Sequence, residues 1–352
     1  MGGDEYQHMK SNKSVAPGSL IDEKTIHKIG SLRQIAGTRH AVLTNGGAGG
    51  VRAIDVNTGA GLNYTIIPDR GLDISFASYM GINFSYISPQ EELSPSHYNY
   101  NNEEWMRTFF GGLLTTCGPV NFGPPCEDSG VSYGLHGRFN TTAATNVCDN
   151  TDIESGVIEV SGTIANYVLF GEKIEIKRII SSVVGENSIK INDLITNKGG
   201  EETPNMMLYH INFGYPLLDV NSITSVNSDK CTGYDDYSQK FIDELTTFLS
   251  PDASNKEKNY LHIMNKSKPG IANIRNDELG FCVEIRFDSS KLPYLTQWKC
   301  ENARDYVQAL EPGNAPCESI ADVRKAGLLP ILEPGKTVEH NVEIVVLPLN
   351  PL

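Results

Sequence analysis

The segment KIEIKRIISSVVGENSIKINDLITN, residues 173–197, decides the fold class of this chain. Isoleucines alternate with charged residues up to the run IISSVV at 179–184, a Gly185-Glu186-Asn187 turn follows, and the alternation then resumes. A repeat of two places the apolar side chains on one face of a strand, so the segment predicts an antiparallel hairpin with one buried face. The isoleucines that carry this pattern are Ile174, Ile176, Ile179, Ile189, Ile191 and Ile195.

The same alternation appears twice more, at 281–287 and at 338–346, where Pro348 ends it. Helical periodicity, by contrast, is limited to two short stretches, 22–36 and 237–249. The 33 glycines and 18 prolines are spread along the chain as turn residues and form no single linker. These features predict an all-β fold, a large antiparallel β-sandwich.

The domain organisation predicted from the sequence is simple. A polar segment at residues 1–20 precedes a single domain over 21–352. The polar segment lacks the apolar core of a signal peptide, and no stretch approaches the roughly 18 apolar residues of a membrane helix. Seven cysteines without a C-x-x-C pair indicate reduced thiols, and they predict a cytoplasmic protein.

The charge balance restricts the partners of this chain. It has 29 Lys and Arg against 43 Asp and Glu, a formal net charge of −14. Such a surface repels nucleic acid and anionic lipid, which leaves neutral or small ligands as expected partners, and a homo-oligomer is compatible with it. The glycine-rich stretch 45–62 lacks the Gly-Lys-Ser/Thr ending of a phosphate loop, and the eight histidines contain no H-x-H pair. No nucleotide cofactor and no metal are therefore predicted.

Three segments place ionisable residues beside glycines and turns, where a ligand can approach the backbone. Taken alone, each histidine or glutamate in them can equally be a structural residue, or the polar end of a strand. The segments are 111–140, with His136 and Arg138; 196–219, with His210 and Asn212; and 303–316, with Glu311.

These segments resemble the aldose 1-epimerase (galactose mutarotase) superfamily. LHGR at 135–138 is similar to the Leu-His-Gly signature that contains the first histidine of its site. TNKGGEETPNMMLYHINFGYPLLD at 196–219 is similar to the strand that carries the second histidine, and ALEPGNAP at 309–316 is similar to the segment of the catalytic glutamate. The resemblance spans about 40–350 and implies the superfamily's large β-sandwich, the galactose mutarotase-like supersandwich.

The resemblance implies an isomerase that opens and closes a monosaccharide ring by general acid–base catalysis. Glu311 would remove the proton from O1, because a partly buried carboxylate becomes more basic. His210 would protonate the ring oxygen, since imidazole titrates near working pH. His136 would donate a hydrogen bond to the sugar or share the ring-oxygen role. This chemistry requires no cofactor.

Further polar and aromatic residues are candidates for binding the sugar. Asp69 and Arg70 could hold sugar hydroxyls, or could brace a turn. Trp298 could stack on a sugar face or pack in the core. Mutarotases keep a substrate-binding aspartate between the second histidine and the glutamate, where this chain has Asp235 and Asp236 in a dissimilar context. The predicted binding residues are Arg70, Asp69, Arg107, Arg138, Asn212 and Trp298.

Departures from the family pattern leave the sugar open. The Gly-Arg and Asn-Arg-Ile segment of galactose mutarotases is absent, and Arg138 follows Gly137 where those enzymes have a second glycine. The chain therefore resembles a divergent branch. Alternatives are a hexose-phosphate epimerase, which needs several Arg or Lys around a phosphate, and a non-catalytic sugar-binding protein of the same fold. A cupin-type metal isomerase and a two-carboxylate glycosidase find less support in the residues.

Overall fold

The computed structural model describes residues 26–349, and strands form most of its regular structure. The strands, in chain order, are β1 (Gly37–Val42), β2 (Arg52–Asn57), β3 (Leu62–Ile67), β4 (Asp73–Tyr79), β5 (Ile82–Asn83), β6 (Tyr86–Ile87), β7 (Gly111–Gly112), β8 (Leu114–Cys117), β9 (Cys126–Asp128), β10 (Val131–Tyr133), β11 (Thr145–Asp149), β12 (Val157–Tyr167), β13 (Lys173–Val183), β14 (Ser188–Asn197), β15 (Thr203–Pro204), β16 (Leu208–Phe213), β17 (Ile223–Val226), β18 (Lys230–Gly233), β19 (Lys258–Ile263), β20 (Gly270–Asn276), β21 (Phe281–Phe287), β22 (Tyr294–Asn302), β23 (Asp305–Gly313), β24 (Ile331–Leu332) and β25 (Thr337–Pro348).

Helices are few and short. The described α-helices are α1 (Asp236–Lys240) and α2 (Ile320–Lys325). Single 3-10 turns occupy Leu32–Gln34, Gly46–Ala48, Pro68–Arg70, Pro95–His97, Glu104–Arg107, Phe139–Thr141 and Ile242–Glu244. No helix among the described residues is long and apolar enough to cross a membrane.

Two large antiparallel sheets make the sandwich. The first has 11 strands in the order β1-β2-β3-β4-β8-β16-β23-β22-β19-β18, with β5 on β4, and the second has eight in the order β11-β12-β13-β14-β25-β21-β20-β17. Apolar side chains from both sheets meet in one cluster, for example Ile211 and Leu310 from the first and Ile176 and Ile344 from the second. Burying each such side chain contributes about 1.5–3 kcal/mol. The predicted all-β antiparallel sandwich is confirmed.

The hairpin predicted over 173–197 is formed by β13 and β14, which pair in antiparallel register with Ile176 opposite Ile195. One residue differs from the predicted pattern. Ile179 lies on the half-exposed face, whereas Arg178 is fully buried on the core face. The strict repeat of two explains this, because the face that holds Ile176 must also hold residue 178.

The other sequence predictions have mixed outcomes. The alternating segments at 281–287 and 338–346 lie in β21 and β25, which pair with each other in the second sheet. Of the two helical stretches, 237–249 contains part of α1 and one 3-10 turn, and the described part of 22–36 contains one 3-10 turn. The predicted polar segment 1–20 lies outside the described residues, and the single domain stays a prediction.

Strand β16 lies near the middle of the first sheet, and all six of its residues are buried. Its inner face, with Tyr209 and Ile211, packs toward the second sheet. Its outer face is covered by aromatic residues of the segment before β7, including Trp105 and Phe109, which are themselves buried. A cleft on the outer face of this sheet is therefore enclosed by loops.

Candidate active site

Three neighbouring strands bring polar side chains together on the outer face of the first sheet. The register of β16, β23 and β22 places Glu311 between His210 on one side and Thr296 on the other. Residues opposite one another in a sheet point to the same face. Nε2 of His210 lies 3.4 Å from Oε1 of Glu311, although the two residues are 101 positions apart in the sequence.

These residues form the floor of a cleft of about 350 Å³, within the range of small-molecule sites. Four of its lining residues are Phe, Tyr or Trp, and the ring centroids of Phe109 and Trp298 lie 5.4 Å and 5.6 Å from that of His210. Aromatic faces of this kind suit the apolar face of a sugar. The cleft is lined by Trp105, Met106, Phe109, Pro124, Leu135, His136, His210, Tyr234, Glu257, Asn259, Thr296, Trp298, Glu311, Cys317 and Glu318.

His136 enters the cleft from the loop after β10. Its Nδ1–H donates to the carbonyl of Phe122 at 2.6 Å, which leaves Nε2 of the neutral ring as a hydrogen-bond acceptor. Its ring centroid lies 5.8 Å from that of His210. Burial lowers the pKa of His136 to about 4, so the ring is neutral at pH 7. In this state Nε2 can accept a hydrogen bond but cannot donate one, whereas the sequence predicted that His136 donates a hydrogen bond to the sugar or shares the ring-oxygen role.

Burial moves the pKa values of His210 and Glu311 in opposite directions. It lowers the pKa of His210 to about 3, with the neighbouring His136 adding to the effect. It raises the pKa of Glu311 well above its usual range, and the charge of Glu257 adds to that shift. Each shift opposes the charged form in a desolvated site. The carboxylate of Glu311 is therefore a strong base, and the imidazolium of His210 a strong acid.

Two polar atoms of this pair are enclosed without hydrogen-bond partners: Nδ1 of His210 and Oε1 of Glu311. The 3.4 Å approach of the two side chains is a contact without hydrogen-bond geometry. Orphaned buried polar atoms are rare in folded proteins because each costs about 1–3 kcal/mol. Both residues line the cleft, where a ligand can contact them.

Two further carboxylates line the cleft, and sequence reasoning missed both. Glu257 accepts a hydrogen bond from the indole Nε1 of Trp298 at 2.9 Å. Glu318 is half-buried, and burial raises its pKa. No lysine or arginine lines the cleft among the described residues. Glu257 lies in NKEKN at 255–259, which reads as an ordinary charged surface segment, so no sequence signal could have identified it.

The structure places Arg70 and Asp69 away from the cleft. Arg70 is fully buried, and its guanidinium donates to the carbonyls of Asn140, Leu93 and Thr108 at 2.5, 2.8 and 2.9 Å. Asp69 forms an ion pair with Arg52, at an N···O distance of 2.6 Å. With all three nitrogens of its guanidinium already bonded to carbonyls, Arg70 braces the loops of the cleft wall and cannot contact a sugar, so its predicted binding role is corrected.

Of the remaining predicted binding residues, some lie on the surface, one is buried and one lines the cleft. Arg107 is exposed and pairs with Glu104, and Arg138 stacks on Tyr100 in a separate surface groove. Asn212 is buried, and its amide donates to two backbone carbonyls, one of which is that of His210. Only Trp298 of this group lines the cleft.

The two aspartates at the position of the family's substrate-binding aspartate also lie outside the lining. Asp235 caps α1 by accepting from the N–H of Ser238, and Asp236 is exposed in the first turn of that helix. Within residues 26–349 no group of three His, Cys, Asp or Glu is arranged to hold a metal ion. All seven cysteines are free thiols. The cleft thus offers proton-transfer groups and hydroxyl-binding groups.

Comparisons with known proteins give a family and a fold. A family model described as Domain of unknown function (DUF4432) matches residues 48–346. A search of curated proteins found no match. A solved structure from Klebsiella pneumoniae, provisionally named an aldose 1-epimerase, is 23% identical over 88% of this chain and 83% of that one, with a TM-score of 0.83.

Two other solved structures are similar at lower identity. Galactose 1-epimerase from Lactobacillus acidophilus is 13% identical over 90% of this chain and all 100% of its own, with a TM-score of 0.62. A galactose mutarotase-like protein from Clostridium acetobutylicum is 14% identical over the same shares, also with a TM-score of 0.62. At these identities the similarity shows the fold, and the predicted galactose mutarotase-like sandwich is confirmed.

Proposed function

The chain belongs to the DUF4432 family, and from that premise we propose that it is a mutarotase-like isomerase acting on an uncharged monosaccharide. The observation that carries the proposal is the contact between His210 and Glu311 on the floor of an aromatic cleft. The galactose mutarotase-like fold supports it, and the two residues are those that the family resemblance assigns to catalysis.

The geometry suits two proton transfers at one carbon atom. In a cyclic aldose the O1 hydroxyl and the ring oxygen are both bonded to C1, so an acid and a base acting on them must lie side by side. Nε2 of His210 and Oε1 of Glu311 are 3.4 Å apart. Glu311 takes the proton from O1, while protonated His210 gives a proton to the ring oxygen and the C1–ring-oxygen bond breaks.

The changes in charge of Glu311 and His210 during ring opening can be compared with the pKa shifts of the two groups. Before ring opening the pair is a carboxylate and an imidazolium, and after it both Glu311 and His210 are neutral. Burial favours the neutral forms of both groups, so it favours these two transfers, and the charged pair that starts them forms when one proton passes from Glu311 to His210. Rotation about C1–C2 and the same transfers in reverse close the ring as the other anomer and restore the pair.

The lining of the cleft indicates the charge of the substrate. A phosphate group would need Arg or Lys to bind it, yet the described lining has none and contains Glu257 and Glu318 near Glu311. A phosphorylated sugar would meet like charge from these carboxylates and no cation to offset it. The cleft therefore favours an uncharged sugar over a hexose phosphate.

The test follows the anomers of freshly dissolved sugars by NMR or polarimetry, with and without the wild-type protein. A panel of free hexoses and pentoses is compared with glucose 6-phosphate. We expect accelerated equilibration of at least one free sugar and no acceleration of the phosphate. Acceleration of the phosphate alone would overturn the assignment in favour of a phosphosugar epimerase.

Binding can be followed separately, because the chain has only two tryptophans and both line the cleft. A sugar that enters should change the intrinsic fluorescence of Trp105 and Trp298. A fluorescence response without any acceleration across the panel would overturn the catalytic proposal in favour of a sugar-binding protein.

A further inference from the structure

A second cluster of charged side chains lies on the opposite face of the strand that carries His210. Arg178 on β13 makes a two-point ion pair with Asp193 on β14, with N···O distances of 2.8 and 2.7 Å. Its third nitrogen donates to Asp73 on β4 at 2.7 Å. All three residues are fully buried between the two sheets.

This cluster is bonded to the residues around His210. The hydroxyl of Tyr209 donates to Oδ2 of Asp193 at 2.8 Å. Burial raises the pKa of Tyr209 well above its usual range, so the hydroxyl keeps its proton. Tyr209 precedes His210 on β16, and its side chain points into the sandwich while that of His210 points into the cleft.

The cluster also holds the neighbouring strand β8. The carboxylate of Asp73 accepts from the backbone N–H of Thr116 at 2.8 Å and from its hydroxyl at 2.6 Å. Thr116 is the residue directly opposite Tyr209 in the sheet. Strands β4 and β8 pair only between Ile74 and Leu114, so the carboxylate supplies the partner that the backbone ladder lacks at this point.

We propose that the Arg178 cluster is a positioning device for His210, in which Tyr209 and Asp193 are positioning residues. The proposal rests on the proposed function, because the position that matters is that of His210 relative to Glu311. The cluster fixes β16 and β8 to the second sheet immediately behind the imidazole. Nδ1 of that imidazole makes no hydrogen bond of good geometry, so the ring is held by packing, by its backbone and by a weaker interaction with the Asn212 side chain.

Besides the aromatic rings around it and the Asn212 side chain, the strand fixes where the His210 ring lies. A catalytic histidine is commonly oriented by a hydrogen bond from its second ring nitrogen. His136 has such a bond, because its Nδ1 donates to the carbonyl of Phe122. For His210 the backbone takes over that role through the residue behind it. A shift of β16 of well under 1 Å would change a 3.4 Å contact enough to slow proton transfer.

The experiment compares Tyr209→Phe with Tyr64→Phe in the full chain. Tyr64 is the matched control: it is 2% exposed, lies in the same sandwich, and its hydroxyl bonds Ser182 of the second sheet at 2.9 Å. Both variants lose one buried hydroxyl hydrogen bond. We expect both variants to lower the unfolding midpoint, Tyr209→Phe more because its partner is a carboxylate, but a fall in kcat of about ten- to a hundredfold for Tyr209→Phe alone, with KM within about twofold.

An equal fall in kcat for both variants, or no fall for Tyr209→Phe, would overturn the positioning role. A second readout does not depend on turnover. The ¹H–¹⁵N signals of the His210 imidazole, identified by their loss in His210→Gln, should move in Tyr209→Phe and stay in place in Tyr64→Phe. If the wild type accelerates no sugar, the proposed function fails on its own, and unmoved imidazole signals in Tyr209→Phe separately contradict the positioning device.

Discussion

The two faces of β16 carry two buried clusters of ionisable residues that differ in one respect. Behind the strand, every nitrogen of the Arg178 guanidinium and both oxygens of Asp193 have hydrogen-bond partners. In front of it, Nδ1 of His210 and Oε1 of Glu311 have none. The satisfied cluster can keep its charges in the core, whereas the unsatisfied pair is pushed toward its neutral forms.

This difference shows how one strand can hold the two sheets together with one face and present ionisable groups to a ligand with the other. A buried ion pair with complete hydrogen bonding is costly to break, so it holds its strands in place. A buried acid and base without hydrogen-bond partners in the protein can instead bond a ligand and exchange protons with it. Four predictions test the contrast, in order of decreasing effect.

The largest effect is expected in the cleft. Glu311→Gln removes the proposed base and should lower kcat for anomer exchange by about 10²–10⁴-fold. The unfolding free energy should not fall, because Oε1 of Glu311 has no hydrogen bond to lose. Polarimetry measures the first effect and urea unfolding the second. The exposed Glu202→Gln is the control and should match the wild type in both. Undiminished turnover in Glu311→Gln would refute its role.

The next effect is expected behind the strand. Asp193→Asn breaks the buried pair with Arg178 and should lower the unfolding free energy by about 3–5 kcal/mol, since it leaves a buried guanidinium partly unpaired. Asp277→Asn is the matched change in the exposed ion pair of Arg275, and it should leave the free energy of unfolding close to that of the wild type. Urea unfolding at pH 7 measures both. Equal losses would show that the Arg178 cluster is no more important to stability than a surface pair.

A smaller effect is expected from pH. The pKa of His136 is lowered from 6.5 to about 4, so the unfolded chain takes up the proton first as pH falls. Its contribution to stability is complete above pH 6.5 and is lost as pH falls toward 4. Between pH 7 and pH 5 this amounts to up to about 2 kcal/mol.

Urea midpoints at the two pH values test this in His136→Gln, which should lose correspondingly less stability than the wild type. The exposed His97→Gln serves as the control and should keep the wild-type pH dependence. An unchanged pH dependence in His136→Gln would mean that the cleft does not hold this ring in its neutral form.

The smallest effect is expected outside both clusters. Arg107, which the sequence predicts as a hydroxyl binder, is exposed and pairs only with Glu104. Arg107→Ala should change stability by less than about 0.5 kcal/mol and KM by less than about twofold. Steady-state kinetics on the sugar that responds in the anomer assay provide the measurement. A large rise in KM would place this arginine at the substrate after all.

The sequence predicted the sandwich well because strand patterning is local. The alternation around Gly185-Glu186-Asn187 reflects burial of one strand face, and a repeat of two is visible in a dozen residues. The family resemblance also pointed to His136, His210 and Glu311, which line one cleft in the structure. Their roles stay a proposal.

The polar residues around the site could not be predicted in the same way. Arg70 and Arg178 look alike in the sequence as arginines near strands, and both are buried against partners 20 or more positions away, such as Leu93 and Asp73. Glu257 looks like a surface residue and lines the cleft.

By itself, then, the sequence determined which segments become strands and which short motifs carry ionisable groups, because both depend on neighbouring residues. Only the tertiary structure decided that Glu311 faces His210, that Arg70 turns inward, and that Tyr209 joins the cleft strand to the second sheet. The reason is physical: sheet register and burial are set by contacts between distant segments, and the surroundings of each ionisable group follow from those contacts.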